Sequence, residues 1–175
     1  ASYLAATEGK FEVVKWWIAK EYPLSPFVCS EVAEKGNLDL LKWLKEKGHH
    51  GDEESCARAA LNGHLEILKW LRETGCGWDS NTCTSAAENG HFEVLKWARA
   101  NGCRWDEDTT SHAAKNGHLE ILKWLRENGC DWNSETCSKA AENGHLEVLM
   151  WAYKNGCDWD DMCCACAAMN GHLEV

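Results

Sequence analysis

Cysteine, histidine and acidic residues are common enough in these 175 residues to raise metal binding, disulfide bonding and nucleophilic catalysis: there are 11 Cys, 8 His and 28 Asp or Glu. Their spacing decides among these chemistries. One cysteine column reads Cys29, Cys56, Cys83, Thr110, Cys137, Cys164, and the other Tyr22, His49, Cys76, Cys103, Cys130, Cys157. Paired at a step of seven, Cys103 meets Thr110, while Cys29 and Cys56 meet Tyr22 and His49. The columns do not gain and lose cysteines together, as bridged columns would. Reduced, buried thiols in a reducing compartment are therefore expected, in an intracellular, cytoplasmic setting.

The histidines His64, His91, His118, His145 and His172 also form a column, one imidazole per repeat. Repeats stacked at helix-packing distance would hold these rings about 10 Å apart, too far to share one zinc ion. A hydrogen bond from each ring to backbone is expected instead. The densest thiol group is Cys163-Cys164-x-Cys166, but Cys164 belongs to a buried column; His49-His50 is a weaker candidate. Acid runs such as Asp52-Glu53-Glu54 and Asp106-Glu107-Asp108 invite calcium, yet acids at helix starts answer the helix dipole. A catalytic triad needs a unique constellation, and here Cys, His and Asp recur as columns. No metal, no cofactor and no catalytic residue is expected, and the chain is read as not an enzyme.

The elements behind these columns follow from a fixed repeat. Glycines stand at Gly9, Gly36, Gly63, Gly90, Gly117, Gly144 and Gly171, a step of 27 throughout. Such a period marks a stacked repeat architecture. Ala, or Val at 32, stands three and four residues before each glycine, as at Ala113 and Ala114. Helical spacing puts this small-residue pair on one closely packed face. Eleven before the glycine stand Ser25, Asp52, Asp79, Asp106, Asn133 and Asp160, all good N-caps. The first helix starts there and stops near Asn-Gly. After the glycine, Leu119, Ile121, Leu122, Trp124 and Leu125 alternate with Glu120, Lys123, Arg126 and Glu127, an amphipathic second helix. It ends at Gly48, Gly75, Gly102, Gly129 or Gly156, and a link of about three residues enters the next unit.

Ten of the 11 tryptophans fall in columns: Trp16, Trp43, Trp70, Trp97, Trp124 and Trp151 in the second helices, and Trp78, Trp105, Trp132 and Trp159 in the links. Repetition points to packing, so the helix column is expected in the core, with Trp124→Ala opening a cavity. The link column is expected to cover the seam between units.

The chain is expected to form one array over residues 1–175, with units at about 1–24, 25–51, 52–78, 79–105, 106–132 and 133–159 and a partial unit 160–175. Both ends fall inside a unit, so a piece of a longer chain is expected. A net charge of -10 disfavours nucleic acid and anionic membranes as partners. No apolar run approaches the ~20 residues of a membrane span.

The pattern Gly-Cys-x-Trp-Asp-x-x-Thr-Cys-x-x-Ala-Ala-x-Asn-Gly-His-Leu-Glu-Val-Leu-Lys-Trp resembles the ankyrin repeat family, in a fingerless, Trp- and Cys-rich subfamily. The resemblance runs across all 175 residues. It implies an all-α solenoid of stacked helix–turn–helix repeats with the 27-residue period. Ankyrin units are usually 33 residues long; these links are too short for β-hairpin fingers. It also implies a surface that holds other proteins.

Positions that the repeat leaves free are the candidates for such contacts. Five before the glycine are Glu31, Arg58, Ser85, His112 and Lys139; two before are Glu34, Leu61, Glu88, Lys115 and Glu142. Nine before stand Phe27, Glu54, Asn81, Asp108, Glu135 and Met162, with Cys166 and Met169 completing the last unit. These positions form one stripe of the first helix, expected opposite the small-residue face. The leading function is a scaffold binding a partner protein through this stripe. The alternatives are a spacer or cementing component of a large complex, and an adaptor arm of a multidomain protein.

Overall fold

A computed structural model describes residues 5, 6, 8–159 and 161–172. It divides into two compact units, residues 1–78 and 79–175. The 27-residue period continues through both without insertion.

In the first unit lie α1 (Phe11–Ala19), α2 (Val28–Glu34), α3 (Leu38–Glu46), α4 (Glu53–Leu61) and α5 (Leu65–Glu73). Ala5 and Ala6 are also helical. In the second lie α6 (Ser80–Glu88), α7 (Phe92–Ala100), α8 (Glu107–Lys115), α9 (Leu119–Glu127), α10 (Ser134–Glu142), α11 (Leu146–Lys154) and α12 (Asp161–Met169). Among the described residues there is no strand, and none of the helices is long and apolar enough to cross a membrane.

Most helix starts are set by the expected caps. The Asp52 carboxylate accepts from the Ser55 N–H at 2.9 Å, and the Ser55 hydroxyl takes the Asp52 N–H at 3.2 Å. Asp79 accepts from the Asn81 N–H at 3.0 Å, and Asn133 from the Glu135 N–H at 3.0 Å. Ser25 differs. Its hydroxyl accepts from the Phe27 N–H at 3.3 Å, Pro26 and Phe27 form a turn, and α2 begins only at Val28. Asp160 lies outside the described residues.

First helices stack on first helices. In the first unit α2 packs on α4; in the second, α6 packs on α8, α8 on α10 and α10 on α12. α2, α4, α6, α8 and α10 each also pack on the second helix of their own repeat, as α8 does on α9. The small residues permit this approach: Ala59, Ala60, Ala86, Ala87, Ala113, Ala114, Ala140 and Ala141 are all buried. The second helices bury Leu and Ile rather than tryptophan: Ile121, Leu122 and Leu125 are at most 4% exposed.

The tryptophan column corrects the sequence expectation. Trp43, Trp70, Trp97, Trp124 and Trp151 are half-buried, and Trp16 is 52% exposed. They lie at the solvent edge of the core because Leu and Ala already fill its centre. The link tryptophans sit against them. Trp105 meets Trp124 edge to face at 5.5 Å, and Trp132 meets Trp151 at 5.8 Å. The outer ring faces are closed by arginines: Arg72 lies 4.2 Å from the Trp78 ring centre, Arg99 4.1 Å from Trp105 and Arg126 4.2 Å from Trp132. Tyr153 stacks on Trp159 in the same way at 5.6 Å. These arginines also donate to the link backbone, Arg126 to the Cys130 carbonyl at 2.6 Å and Arg99 to the Cys103 carbonyl at 3.3 Å. The sequence showed them as solvated charge; the structure makes them clamps on the link.

The thiols pair within a unit at a spacing of 20, not seven. Cys56 donates to Cys76 across 3.6 Å between sulfurs, and Cys83 and Cys137 hydrogen-bond Cys103 and Cys157 in the same way. The link thiols reach the carbonyl of the residue 24 earlier: Cys76 to Asp52 at 2.9 Å, Cys103 to Asp79 at 3.2 Å, Cys130 to Asp106 at 3.2 Å and Cys157 to Asn133 at 3.3 Å. All eleven cysteines are thiols. One is misplaced by the column rule, since Cys164 is exposed and its neighbour Cys163 is buried.

Burial, with the charges of Asp106 and Asp131 behind it, pushes the Cys130 thiol up to about 12 from an ordinary 9.0. Burial and then Asp52 push Cys29 up to about 11. A folded thiol that holds its proton this tightly contributes stability that is complete below pH 9 and is lost as pH rises through 11–12. Only thiolates alkylate readily. At pH 8, iodoacetamide should therefore label Cys164 in the native chain within minutes and leave Cys29 and Cys130 untouched until urea is added. Peptide mass spectrometry checks this; early labelling of Cys130 would contradict its burial.

Candidate protein-binding face

The variable positions sort into three depths on the first helices. Nine before the glycine, Phe27, Glu54, Asn81, Asp108 and Glu135 are exposed. Five and two before it, Arg58, Ser85, His112, Lys139, Glu34, Leu61, Glu88, Lys115 and Glu142 are half-buried. Met162 lies among residues whose side chains are not described. The stripe therefore does not lie squarely opposite the small-residue face. It runs along the flank where one first helix meets the next, so several of its side chains bond their neighbours.

Glu31 departs furthest from expectation. It is 1% exposed, and Arg58 from the next repeat lies 3.1 Å from it. Arg58 also bonds Glu34 across the same seam and Glu54 one turn earlier in α4 at 2.7 Å. Glu54 above all holds the guanidinium proton more tightly than usual. In the second unit the seam is looser. Lys115 reaches Glu88 at 3.6 Å, and Lys139 pairs with Glu142 in its own helix at 2.8 Å. That pair raises the Lys139 pKa and lowers that of Glu142. His112 donates from Nδ1 to the Asp108 carbonyl at 2.8 Å. Ser85, His112 and Lys139 thus present hydroxyl, imidazole and ammonium at equivalent points of three successive helices.

The histidines bond backbone, as expected, and they do so across repeats. The Nε2–H of His64 donates to the Glu34 carbonyl and that of His118 to the Glu88 carbonyl, each at 3.0 Å. The ring packs against the glycine of the preceding repeat. A Cβ added at Gly117, whose φ is +76°, would come within 2.7 Å of His145. Among the described residues no three His, Cys, Asp or Glu side chains converge as metal ligands. The sequence reading passed over the buried hydroxyls beside the thiols. Thr84 and Thr109 share a hydrogen bond at 3.0 Å, and Thr110 and Thr136 one at 3.3 Å, each between successive first helices. Two of them, Thr109 and Thr136, belong to a Ser/Thr column one residue before the cysteine column, with Ser55 and Thr82.

Two-helix repeats stitched turn to turn, with small residues between the first helices, correspond to a known family. The family model for ankyrin repeats, in three copies, matches residues 30–136. The chain belongs to the ankyrin repeat family. Ankyrin repeats generally mediate contacts between proteins. The crystal structure of the human ASB11 ankyrin repeat domain superposes with a TM-score of 0.65 at 19% identity, covering 90% of this chain and 84% of that one. That likeness concerns the fold alone. A sequence comparison with curated proteins finds no match. Among the described residues the ankyrin architecture is realised without strands, and in the second unit Trp105 and Trp132 occupy the seams between second helices.

Proposed function

We propose that this ankyrin chain is a scaffold that holds a partner protein against the variable flank of its first helices. The supporting observation is the contrast between columns in the second unit. Ala86, Ala113 and Ala140 are fully buried and identical, while Ser85, His112 and Lys139 beside them differ in size and charge and remain partly open. Exposed Asn81, Asp108 and Glu135 border them. A face that mixes donors, acceptors and charges over half-buried carbon suits a protein surface better than a nucleic acid, given the net charge of -10.

The test replaces His112, Lys115 and Lys139 together by alanine and leaves Arg58 intact. The partner captured by the wild-type chain should be lost at least ten-fold, with the helical circular dichroism unchanged. Undiminished capture by a folded triple variant would remove this flank from consideration.

A further inference from the structure

Two links in the first unit lack the indole that the later links carry: Leu24 stands at that place after the first repeat and Gly51 after the second. Fifteen residues after the glycine, the links place Trp78, Trp105, Trp132 and Trp159, but the second repeat places Gly51. The consequence is a cavity of 170 Å³ lined by Lys45, His50, Gly51, Trp70, Thr74, Gly75 and Cys76. The filled positions show what belongs there. Trp105 is held between the Arg99 guanidinium at 4.1 Å and the Trp124 ring at 5.5 Å. Lys45 stands at the arginine position and Trp70 at the position of Trp124. With no indole between them, the Lys45 ammonium lies 5.8 Å from the centre of the Trp70 ring itself. The His50 imidazole lines the same cavity as Trp70. The larger groove of 390 Å³ beside the filled ladder is a different case. There Trp132 already stacks on Trp151 at 5.8 Å and is closed by Arg126 at 4.2 Å.

We propose that the gap between Lys45 and Trp70 is a docking slot for an aromatic side chain, indole best, presented by a partner protein. The inserted ring replaces the missing link tryptophan, edge or face against Trp70 and under the Lys45 cation. The proposal rests on the reading of the chain as a protein-binding module, but it uses the second helices and a link rather than the first-helix flank. The two can therefore fail separately.

The experiment titrates acetyl-Gly-Trp-Gly-amide into the ¹⁵N-labelled full chain and follows backbone and indole N–H signals. Saturable shifts are expected at the Trp70 indole and the Gly51 and Gly75 amides, at least three-fold larger than at the indoles of Trp105, Trp124, Trp132 and Trp151. Acetyl-Gly-Leu-Gly-amide should give less than a third of the effect. Trp70→Leu should abolish the shifts. Lys45→Glu, a surface change that keeps the fold by circular dichroism, should weaken binding about five-fold or more through the lost cation. Equal shifts with the leucine peptide, shifts spread over the filled ladder, or none at Trp70 up to the solubility limit would overturn the proposal. So would binding of free indole without binding of the peptide, which would make the slot a small-molecule pocket. A normal slot titration beside intact partner capture by the first-helix triple variant would overturn only the first-helix reading.

Discussion

Leu122→Ala should destabilise the second unit by about 3–5 kcal/mol, and Trp124→Ala two residues away by only about 1–2 kcal/mol. The order is the reverse of what side-chain size suggests. Leu122 is fully buried among Cys137, Ala140, Val148 and Leu149. Removing it leaves a void that alanine-lined neighbours cannot fill, because their side chains have no length to move into it. Trp124 is half-buried and keeps one edge in water. Its loss costs two edge-to-face contacts, with Phe92 at 5.6 Å and Trp105 at 5.5 Å, but water refills the space. In a repeat stack each unit touches only its neighbours, so the loss remains local. Urea unfolding gives the totals, and hydrogen exchange over α8–α11 shows where the protection goes. Equal losses from the two variants would return the tryptophan column to the interior.

The period made most of the fold legible. A step of 27, a small-residue pair and a capping residue in fixed register leave few ways to pack two short helices, and the Asp52, Asp79 and Asn133 caps formed as their spacing required. What the period could not give was depth within a side-chain column. Trp124 and Leu122 are both apolar columns on one helix, and only the packed structure shows that the larger lies outside. Pairing between columns was equally hidden. Cys103 could be tested against the nearest cysteine column along the chain, yet its sulfur meets Cys83, because the second helix folds back over the first.

The binding face was legible as a list of positions and not as a surface. Arg126 and Glu31 show why. Arg126 reads in the sequence as charge on an amphipathic helix and Glu31 as part of the binding stripe, and both are structural: Arg126 clamps Trp132, and Glu31 is buried in the seam between α2 and α4. A charged side chain at an open helical position says nothing about the neighbouring repeat that closes over it. Gly51 is the opposite case. Its departure from the tryptophan column is plain in the sequence, but a missing side chain becomes a site only when the structure shows a cavity lined by Lys45 and Trp70.

Arg58→Ala should cost about 2–3 kcal/mol, far more than truncation of an ordinary surface charge. The reason is Glu31. Its carboxylate is 1% exposed, and Arg58 is the cation at 3.1 Å. Once the guanidinium is gone, the buried carboxylate loses that partner, and this costs free energy. The figure sits at the low side of buried pairs because the Arg58 side chain is itself 32% exposed and water can partly replace it. Three substitutions separate the contributions. Glu54→Ala breaks the exposed 2.7 Å bond and should cost less than about 0.5 kcal/mol. Arg58→Lys keeps the charge but loses the fork that bonds Glu31, Glu34 and Glu54 together, so its loss should be intermediate. Glu31→Gln combined with Arg58→Ala removes the buried charge and should recover part of the single-variant loss, a positive coupling in a double-mutant cycle. Thermal and urea unfolding of wild type, these four variants and Glu31→Gln alone measure all of these. An Arg58→Ala chain as stable as wild type would show that the cluster does not hold the seam, and Arg58 would then rank with His112 and Lys139 as a residue open to a partner. If the loss appears, any drop in partner capture by an Arg58 variant reports first on the contact between α2 and α4.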